Sequence, residues 1–227
     1  MAEARAVVQH SAAWAYMQAR GLHPYTALVY GLGYGIPVPR VQREIIAAAR
    51  QSLMVRHDGI WLWAGGVVYA DPPTHPTVLN VRYIPEDCLP PHTRNFTPLK
   101  NHKTWGVRIQ PLGSWRITAT TRTLIVFEGL FDMLIAAQKI HELNRDADTV
   151  AVYTNGASPS AKMLSWFNRH GEFEYVLLRD PDIAGQEWAK TVSESIRGGG
   201  GKVRVLRPPE LLDPDEAILS GWWPSGI

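Results

Sequence analysis

The stretch Thr-Leu-Ile-Val-Phe-Glu-Gly-Leu-Phe-Asp at residues 123–132 is the clearest indication of the fold, because it passes from a strand to a helix at Glu128. Its first five residues are apolar or β-branched, which predicts a buried strand over Thr123–Phe127. Gly129 permits a tight turn, and a helix is predicted over Leu130–Leu143. The stretch therefore predicts a βα unit with Glu128 at the end of its strand.

The same alternation continues along the rest of the chain. Short apolar runs alternate with segments of helical character, which predicts βα units around a parallel sheet. The further predicted strands are Thr149–Tyr153, Tyr175–Leu178 and Val203–Leu206, and the further predicted helices are Ser158–Arg169, Ile183–Arg197 and a short one from Pro214. We therefore predict an α/β domain over residues 118–227.

The N-terminal part of the chain has a different pattern, and we predict a smaller α+β domain over residues 1–117. Helices are predicted over residues 10–20, Pro24–Tyr30 and Val41–Ser52. Residues 53–84 are β-branched and aromatic runs separated by turn residues, which predicts antiparallel strands. The segment 85–115 is rich in Pro, His and Asn and is interpreted as mostly loop.

Composition limits the class of protein. The chain has 227 residues, of which 45% are hydrophobic, so it can bury a core. Its single cysteine, Cys88, excludes a disulfide framework and every multi-cysteine zinc module within this sequence. The start lacks the pattern of a signal peptide, and no apolar run approaches the roughly 18 residues of a membrane span. We expect a cytoplasmic protein with no membrane partner.

The middle of the chain is basic. Between Arg40 and Arg122 there are eleven Lys and Arg residues against five acids, with Trp and Tyr interleaved. This pattern is typical of proteins that follow a nucleic-acid backbone. An ordinary solvated surface over an aromatic core explains it equally well.

Acidic residues follow three of the predicted strands, and the carboxyl ends of parallel strands meet at one edge of a sheet, where such folds bind ligands. Crowded carboxylates repel unless cations lie between them, so we predict a Mg²⁺ or Mn²⁺ site. Metal ions that face phosphates are the chemistry of phosphodiester transfer. Helix capping is the alternative for each acid, and also for Asp132 in the first turn of a helix. The five acids are Glu128, Asp180, Asp182, Asp213 and Asp215.

These motifs resemble the TOPRIM domain that bacterial primases, topoisomerases and some nucleases share. The resemblance is carried by Glu128-Gly-x-x-Asp132 and by Asp180-x-Asp182 followed by Ala184-Gly185. Asp213-Pro-Asp215-Glu216 is similar to the end of the DnaG-type primase version. Upstream, the segments similar to the primase core are Met17-x-x-Arg20-Gly21-Leu22, Tyr30-Gly-Leu-Gly-Tyr34-Gly, Gly65-Gly66 and Val78-Leu79-Asn80.

The sequence also departs from that family. Val67 and Thr77 stand where the family usually has Arg and Lys, which weakens the transfer of its basic groove. The Cys/His zinc domain and the helicase-binding domain of bacterial primases have no counterpart in this sequence. The resemblance therefore implies a reduced DnaG-type catalytic core, of the kind expected in a phage, plasmid or other mobile replicon.

The resemblance implies template-directed synthesis of short RNA primers on single-stranded DNA from ribonucleoside triphosphates. It implies a partner that replaces the missing modules, either a helicase or a separate template-recognition protein. It assigns catalysis to Glu128, Asp180 and Asp182, metal binding to these three with Asp213 and Asp215, and a secondary role to Asp132. For nucleic-acid binding we predict Asn80 of the similar Val-Leu-Asn segment, together with Arg82, Arg94, Lys100 and Lys103 in place of the family's basic groove. Two alternatives stay open: a metal-dependent TOPRIM nuclease, and a nucleic-acid-binding accessory protein without catalysis.

Overall fold

The computed structural model describes residues 12–35, 54–57, 60–63, 66–73, 78–83, 102–106 and 109–227. The chain divides into two compact units, Met1–Val107 and Arg108–Ile227. Leu112 forms a β-bridge with Tyr153, so the segment that leads into the parallel sheet packs with the second unit. The functional division into 1–117 and 118–227 stays a prediction.

The described part of the first unit begins with two short helices, α1 (Ala12–Ala19) and α2 (Pro24–Val29). Pro24 occupies the first position of α2, where its missing amide donor and fixed φ are tolerated. Both helices were predicted from the sequence, with slightly wider bounds. The helix predicted over Val41–Ser52 lies outside the described residues.

Antiparallel strands form the rest of the described part of the first unit. One sheet has the order β1-β4-β5-β6, and β2 pairs with β3 as a hairpin. The strands are β1 (Gly33–Gly35), β2 (Met54–His57), β3 (Ile60–Trp63), β4 (Gly66–Asp71), β5 (Val78–Tyr83) and β6 (His102–Gly106). Two facing pairs of β4 and β5 are buried, Tyr69 with Asn80 and Asp71 with Val78. The antiparallel strands predicted within residues 53–84 are therefore confirmed.

The second unit is an α/β domain around a parallel four-stranded sheet. Its strands are β7 (Thr123–Phe127), β8 (Thr149–Tyr153), β9 (Glu174–Leu178) and β10 (Lys202–Leu206). Its helices are α3 (Leu130–Glu142), α4 (Ala161–Arg169), α5 (Ile183–Gly198) and α6 (Pro214–Leu219), with 3₁₀ turns at Ser114–Arg116 and Pro209–Leu211. The predicted fold class is confirmed, and most elements agree to within one residue at each end.

Helix α4 begins later than predicted. The sequence placed its start at Ser158, whereas the first helical residue is Ala161. The Ser160 side chain accepts a hydrogen bond from the Met163 amide at 3.2 Å and thereby caps the helix. The preceding residues belong to the loop that follows β8.

Helices cover both faces of the sheet, and the main core lies under α4 and α5. Trp188 of α5 and Phe167 of α4 pack there against alternate residues of the strands, such as Val126 and Val152. The other face is covered by α3, which packs on β8 and on α6. None of the described helices has both the length and the apolar composition that a membrane span requires.

The strand order places a crevice beside the first strand of the sheet. The order is β10-β9-β7-β8, and every neighbouring pair is parallel. The chain runs from β7 outward to β8, returns across β7 to β9, and continues outward to β10. This reversal makes the carboxyl ends of β7 and β9 the topological switch point, where open α/β sheets bind ligands.

Candidate active site

The acidic turns lie at the carboxyl edge of the parallel sheet. Glu128 follows the last residue of β7, and Asp180 follows β9 by two residues. Because β7 and β9 are hydrogen-bonded neighbours, these two acids flank the switch point. Asp213 and Asp215 come after β10 and the 3₁₀ turn Pro209–Leu211.

Gly185 allows α5 to pack directly against Glu128. A Cβ atom at Gly185 would lie 2.9 Å from Oε1 of Glu128 and 2.5 Å from the carbonyl oxygen of Asp180. Such distances are shorter than real Cβ contacts, so only glycine fits without displacement. The helix thereby brings its own N-terminus to the carboxylate that ends β7.

Asp182 caps the same helix. Its Oδ1 atom accepts a hydrogen bond from the Gly185 amide at 2.7 Å, and its side chain is exposed. The capping alternative considered for this acid is therefore present in the structure. One oxygen can cap a helix while the other faces solvent, so the cap does not consume the whole carboxylate.

Asp132 and Asp215 form a second, buried group of acids. Oδ1 of Asp132 accepts a hydrogen bond from the Asp215 amide at 3.2 Å, which ties the first turn of α3 to the first turn of α6. The side chain of Asp132 lies over Gly129, where a Cβ atom would collide with its Oδ2 atom. Asp213 precedes α6 and is exposed, and its amide donates to Oε2 of Glu216 at 3.4 Å.

Burial and neighbouring charges raise the pKa of three acids at this edge. Burial, followed by the charge of Asp182, raises the pKa of Glu128 to about 7, although an amide hydrogen bond from Asp180 acts in the opposite direction. Burial and then Glu128 raise the pKa of Asp180 to about 7. Burial and then Asp215 raise the pKa of Asp132 well above its usual range. The fold therefore keeps these carboxyl groups together against their mutual repulsion.

Comparison with protein families finds a match within the second unit. Residues 125–218 match the sequence model of the Toprim-like family. The fold of the second unit is therefore TOPRIM-like. No protein of curated function matches the chain in sequence.

Comparison with solved structures shows that the likeness to known folds extends beyond residues 125–218. The chain is similar to the Aquifex aeolicus primase crystallised with its zinc-binding and RNA polymerase domains, with a TM-score of 0.64 and 18% identity. It is also similar to the RNA polymerase domain of Mycobacterium tuberculosis primase DnaG, with a TM-score of 0.59 and 14% identity. Each match covers 95% of this chain, but 54% of the first structure and 77% of the second. The chain thus spans about half the length of the Aquifex chain, and at these identities the likeness concerns the fold.

TOPRIM domains generally bind divalent cations. Two carboxylate oxygen atoms of this chain are suitable partners for such a cation. Oε1 of Glu128 and Oδ1 of Asp180 are both buried without a hydrogen-bond partner. A buried carboxylate oxygen without a donor is costly, and a hard cation is a suitable partner for it. The donor set is all oxygen, which suits Mg²⁺ and Mn²⁺.

The described residues contain no group of three or more His, Cys, Asp or Glu side chains arranged to hold a metal ion unaided. Mg²⁺ usually keeps several waters and takes one or two carboxylates together with substrate phosphates. Glu128 and Asp180 at the switch point match that mode of binding. The predicted five-residue ligand set stays a prediction.

The loop after β8 is the part of the site that sequence reasoning missed. The Gly156 amide donates to the carbonyl oxygen of Glu128 at 2.9 Å, and Asn155 adopts a left-handed conformation with φ 62°. From the sequence we predicted here only a helix that begins at Ser158. A loop that follows a strand next to the switch point is expected to lie in the site. That expectation can be drawn only when the strand order is known.

The residues predicted to bind nucleic acid belong to the first unit. Asn80 and Arg82 lie on β5, with Asn80 buried and Arg82 half-buried. Lys103 lies on β6 opposite Val81. Arg94 and Lys100 lie outside the described residues. Nucleic-acid binding by this set stays a prediction.

Proposed function

We propose that this chain is the catalytic core of a DnaG-like primase, which joins ribonucleotides on a single-stranded DNA template. The observation that carries the proposal is the meeting of Glu128 and Asp180 at the switch point, each with a buried oxygen that has no hydrogen-bond partner. The TOPRIM family and the likeness to primase folds support it.

The acids would act through Mg²⁺ or Mn²⁺ and the phosphates of the incoming nucleotide. Glu128 and Asp180 would hold the cation, with Asp182, Asp213 and Asp215 around it. A bound cation neutralises charge on transferring phosphoryl groups and orients the attacking and leaving oxygens. Glu128 lies on the switch-point side of α5, where it could also accept the proton of the primer 3′-hydroxyl.

The basic N-terminal part would hold the template through its phosphates. Arg82, Arg94, Lys100 and Lys103 would supply the charge, and Asn80 would support the strand that carries Arg82. Phosphate contacts release counterions, so affinity for single-stranded DNA should fall steeply as salt rises. A helicase or a separate template-recognition protein would then direct the core to its site.

The test uses circular single-stranded DNA, because a circle has no 3′ end to extend. The protein is incubated with the circle, labelled ribonucleoside triphosphates and Mg²⁺ or Mn²⁺, beside Asp180→Asn and the control Glu194→Gln, an exposed acid on the outer side of α5. We expect short labelled products that require the template and the metal, from the unmodified chain and the control only.

Other outcomes would replace the proposal. Cleavage of the circle without synthesis would identify a metal-dependent nuclease. Binding of the circle without either activity, unchanged by Asp180→Asn, would identify an accessory protein that retains the fold.

A further inference from the structure

A buried hydrogen bond links the loop after β8 to helix α5. The indole Nε1 of Trp188 donates to the hydroxyl oxygen of Thr154 at 2.8 Å, and both side chains are fully buried. The Thr154 hydroxyl in turn donates to the carbonyl oxygen of Gly156 at 3.0 Å. A hydroxyl has one donor and two acceptor positions, so these two contacts fix its orientation.

On one side, this bond leads to the backbone of Glu128. The Thr154 amide donates to the Phe127 carbonyl at 2.9 Å, and the Gly156 amide donates to the Glu128 carbonyl at 2.9 Å. The loop therefore holds the peptide groups immediately before and after the Cα atom of Glu128. A displacement of the loop would displace Glu128.

On the other side, the bond leads to the acids at the start of α5. Trp188 stands three residues after Gly185, which packs against Oε1 of Glu128 and the backbone of Asp180. A helix moves as a rigid unit over so short a distance, so the position of the indole sets the position of the Asp180–Asp182 turn. The bond thus links the loop that holds the Glu128 backbone to the helix that follows the Asp180–Asp182 turn.

We propose that the Thr154–Trp188 hydrogen bond is a positioning device that sets the spacing between Glu128 and the Asp180–Asp182 turn, and thereby the affinity of the site for a divalent cation. This inference rests on the proposed function, since it takes the site to bind metal. The two residues touch no substrate. They act through the backbone of Glu128 and through α5.

The alternative is that the two groups only satisfy each other inside the core. Buried polar groups are nearly always hydrogen-bonded, and breaking such a pair destabilises any protein. A loss of stability therefore cannot distinguish the two roles. The two roles are distinguished by comparing the metal affinities of variants that lose a similar amount of stability.

The experiment measures Mn²⁺ binding to the full chain by electron paramagnetic resonance of the free ion. Thr154→Val keeps the shape of the side chain and removes the acceptor, whereas Thr154→Ser keeps the hydroxyl. Val150→Ala is the matched control, because Val150 lies in the same core at the opposite end of β8. Thermal melts of each variant report the loss of stability.

We expect Thr154→Val to weaken Mn²⁺ binding about tenfold, as is typical when a group that orients a metal ligand is removed. Thr154→Ser and Val150→Ala should bind within about twofold of the unmodified chain, although Val150→Ala melts at a lower temperature. Trp188→Phe should weaken Mn²⁺ binding by the same factor as Thr154→Val, and so should the variant that combines both changes. Each of the three variants breaks the same hydrogen bond.

Two results would overturn the inference in distinguishable ways. Unchanged Mn²⁺ affinity in Thr154→Val, or in Trp188→Phe if the first variant does not fold, would leave the pair a purely structural role while the proposed function stands. Absence of Mn²⁺ binding by the unmodified chain, both alone and with a ribonucleoside triphosphate present, would overturn both the positioning role and the metal site.

Discussion

Glu128→Gln should make the metal-free protein more stable at pH 8, although it alters a residue of the candidate site. Burial and the charge of Asp182 raise the pKa of Glu128 from 4.5 to about 7. At pH 8 the folded protein must therefore hold a carboxylate that would ionise far more easily in the unfolded chain. Glutamine has nearly the same shape and carries no charge.

The size of the effect follows from that pKa difference. Each pKa unit corresponds to about 1.4 kcal/mol, so the full penalty on ionised Glu128 is about 3 kcal/mol at pH 8. Relaxation and water penetration reduce such penalties in real proteins, so we expect a net stabilisation of about 2 kcal/mol. For a chain of this size that corresponds to a rise in melting temperature of about 4–8 °C.

The pH dependence has a definite sign. A carboxyl group with a raised pKa in the folded state contributes its full stability below the unfolded pKa of 4.5, and that contribution is lost as pH rises through about 7. The advantage of Glu128→Gln should therefore fall below about 1 kcal/mol at pH 5. Circular dichroism melts in EDTA at pH 5 and pH 8 measure both values.

The control and the metal addition complete the test. Glu194→Gln removes an exposed acid of α5 and should change stability by less than about 0.5 kcal/mol at either pH. Mg²⁺ should raise the melting temperature of the unmodified chain more than that of Glu128→Gln, because bound metal stabilises the folded state. A Glu128→Gln variant that is less stable than the unmodified chain at pH 8 would refute the reasoning.

Two further substitutions test the packing of the site. Gly185→Ala would place a methyl carbon 2.9 Å from Oε1 of Glu128, and the overpacking should destabilise the fold by about 1–3 kcal/mol. Gly185→Ala should also lose Mn²⁺ binding. The control Ala184→Ser, at an exposed neighbouring position, should change neither the melting temperature nor the Mn²⁺ affinity. Asp132→Ala removes the acceptor of the buried Asp215 amide and should cost about 1–3 kcal/mol in urea unfolding. Asp132→Asn keeps an acceptor and relieves the buried charge, so a loss as large as that of the alanine variant would contradict the assigned contact.

The helical and strand elements of the second unit could be predicted because their signals are local. Thr123–Phe127 is a buried strand since its residues are apolar without a polar alternation, and Gly129 ends it with a turn. Ser160 shows why boundaries are harder, because the start of α4 depends on one side-chain hydrogen bond to Met163. A propensity pattern cannot place such a bond.

The position of the acids at the carboxyl edge of the sheet could also be predicted, but their grouping could not. The motifs around Glu128 and Asp180 pointed to the carboxyl edge of the sheet, where the structure places both. Which acids become neighbours depends on strand order, and nothing local in the sequence states that β9 pairs with β7 on the side away from β8. The separation into a switch-point pair and the buried pair Asp132 and Asp215 follows from that order and from the return of α6 to α3.

The amino-acid sequence by itself determined that a parallel α/β domain follows a basic, partly β-rich segment, and that its strand ends carry carboxylates. These properties arise from hydrophobic periodicity, turn residues and charge, which act over a few neighbouring positions. The packing of Gly185 on Glu128 and the hydrogen bond between Thr154 and Trp188 became apparent only in the folded chain, because these residues lie 57 and 34 positions apart in sequence. Contacts of that kind depend on how helices and strands pack, which no local pattern encodes.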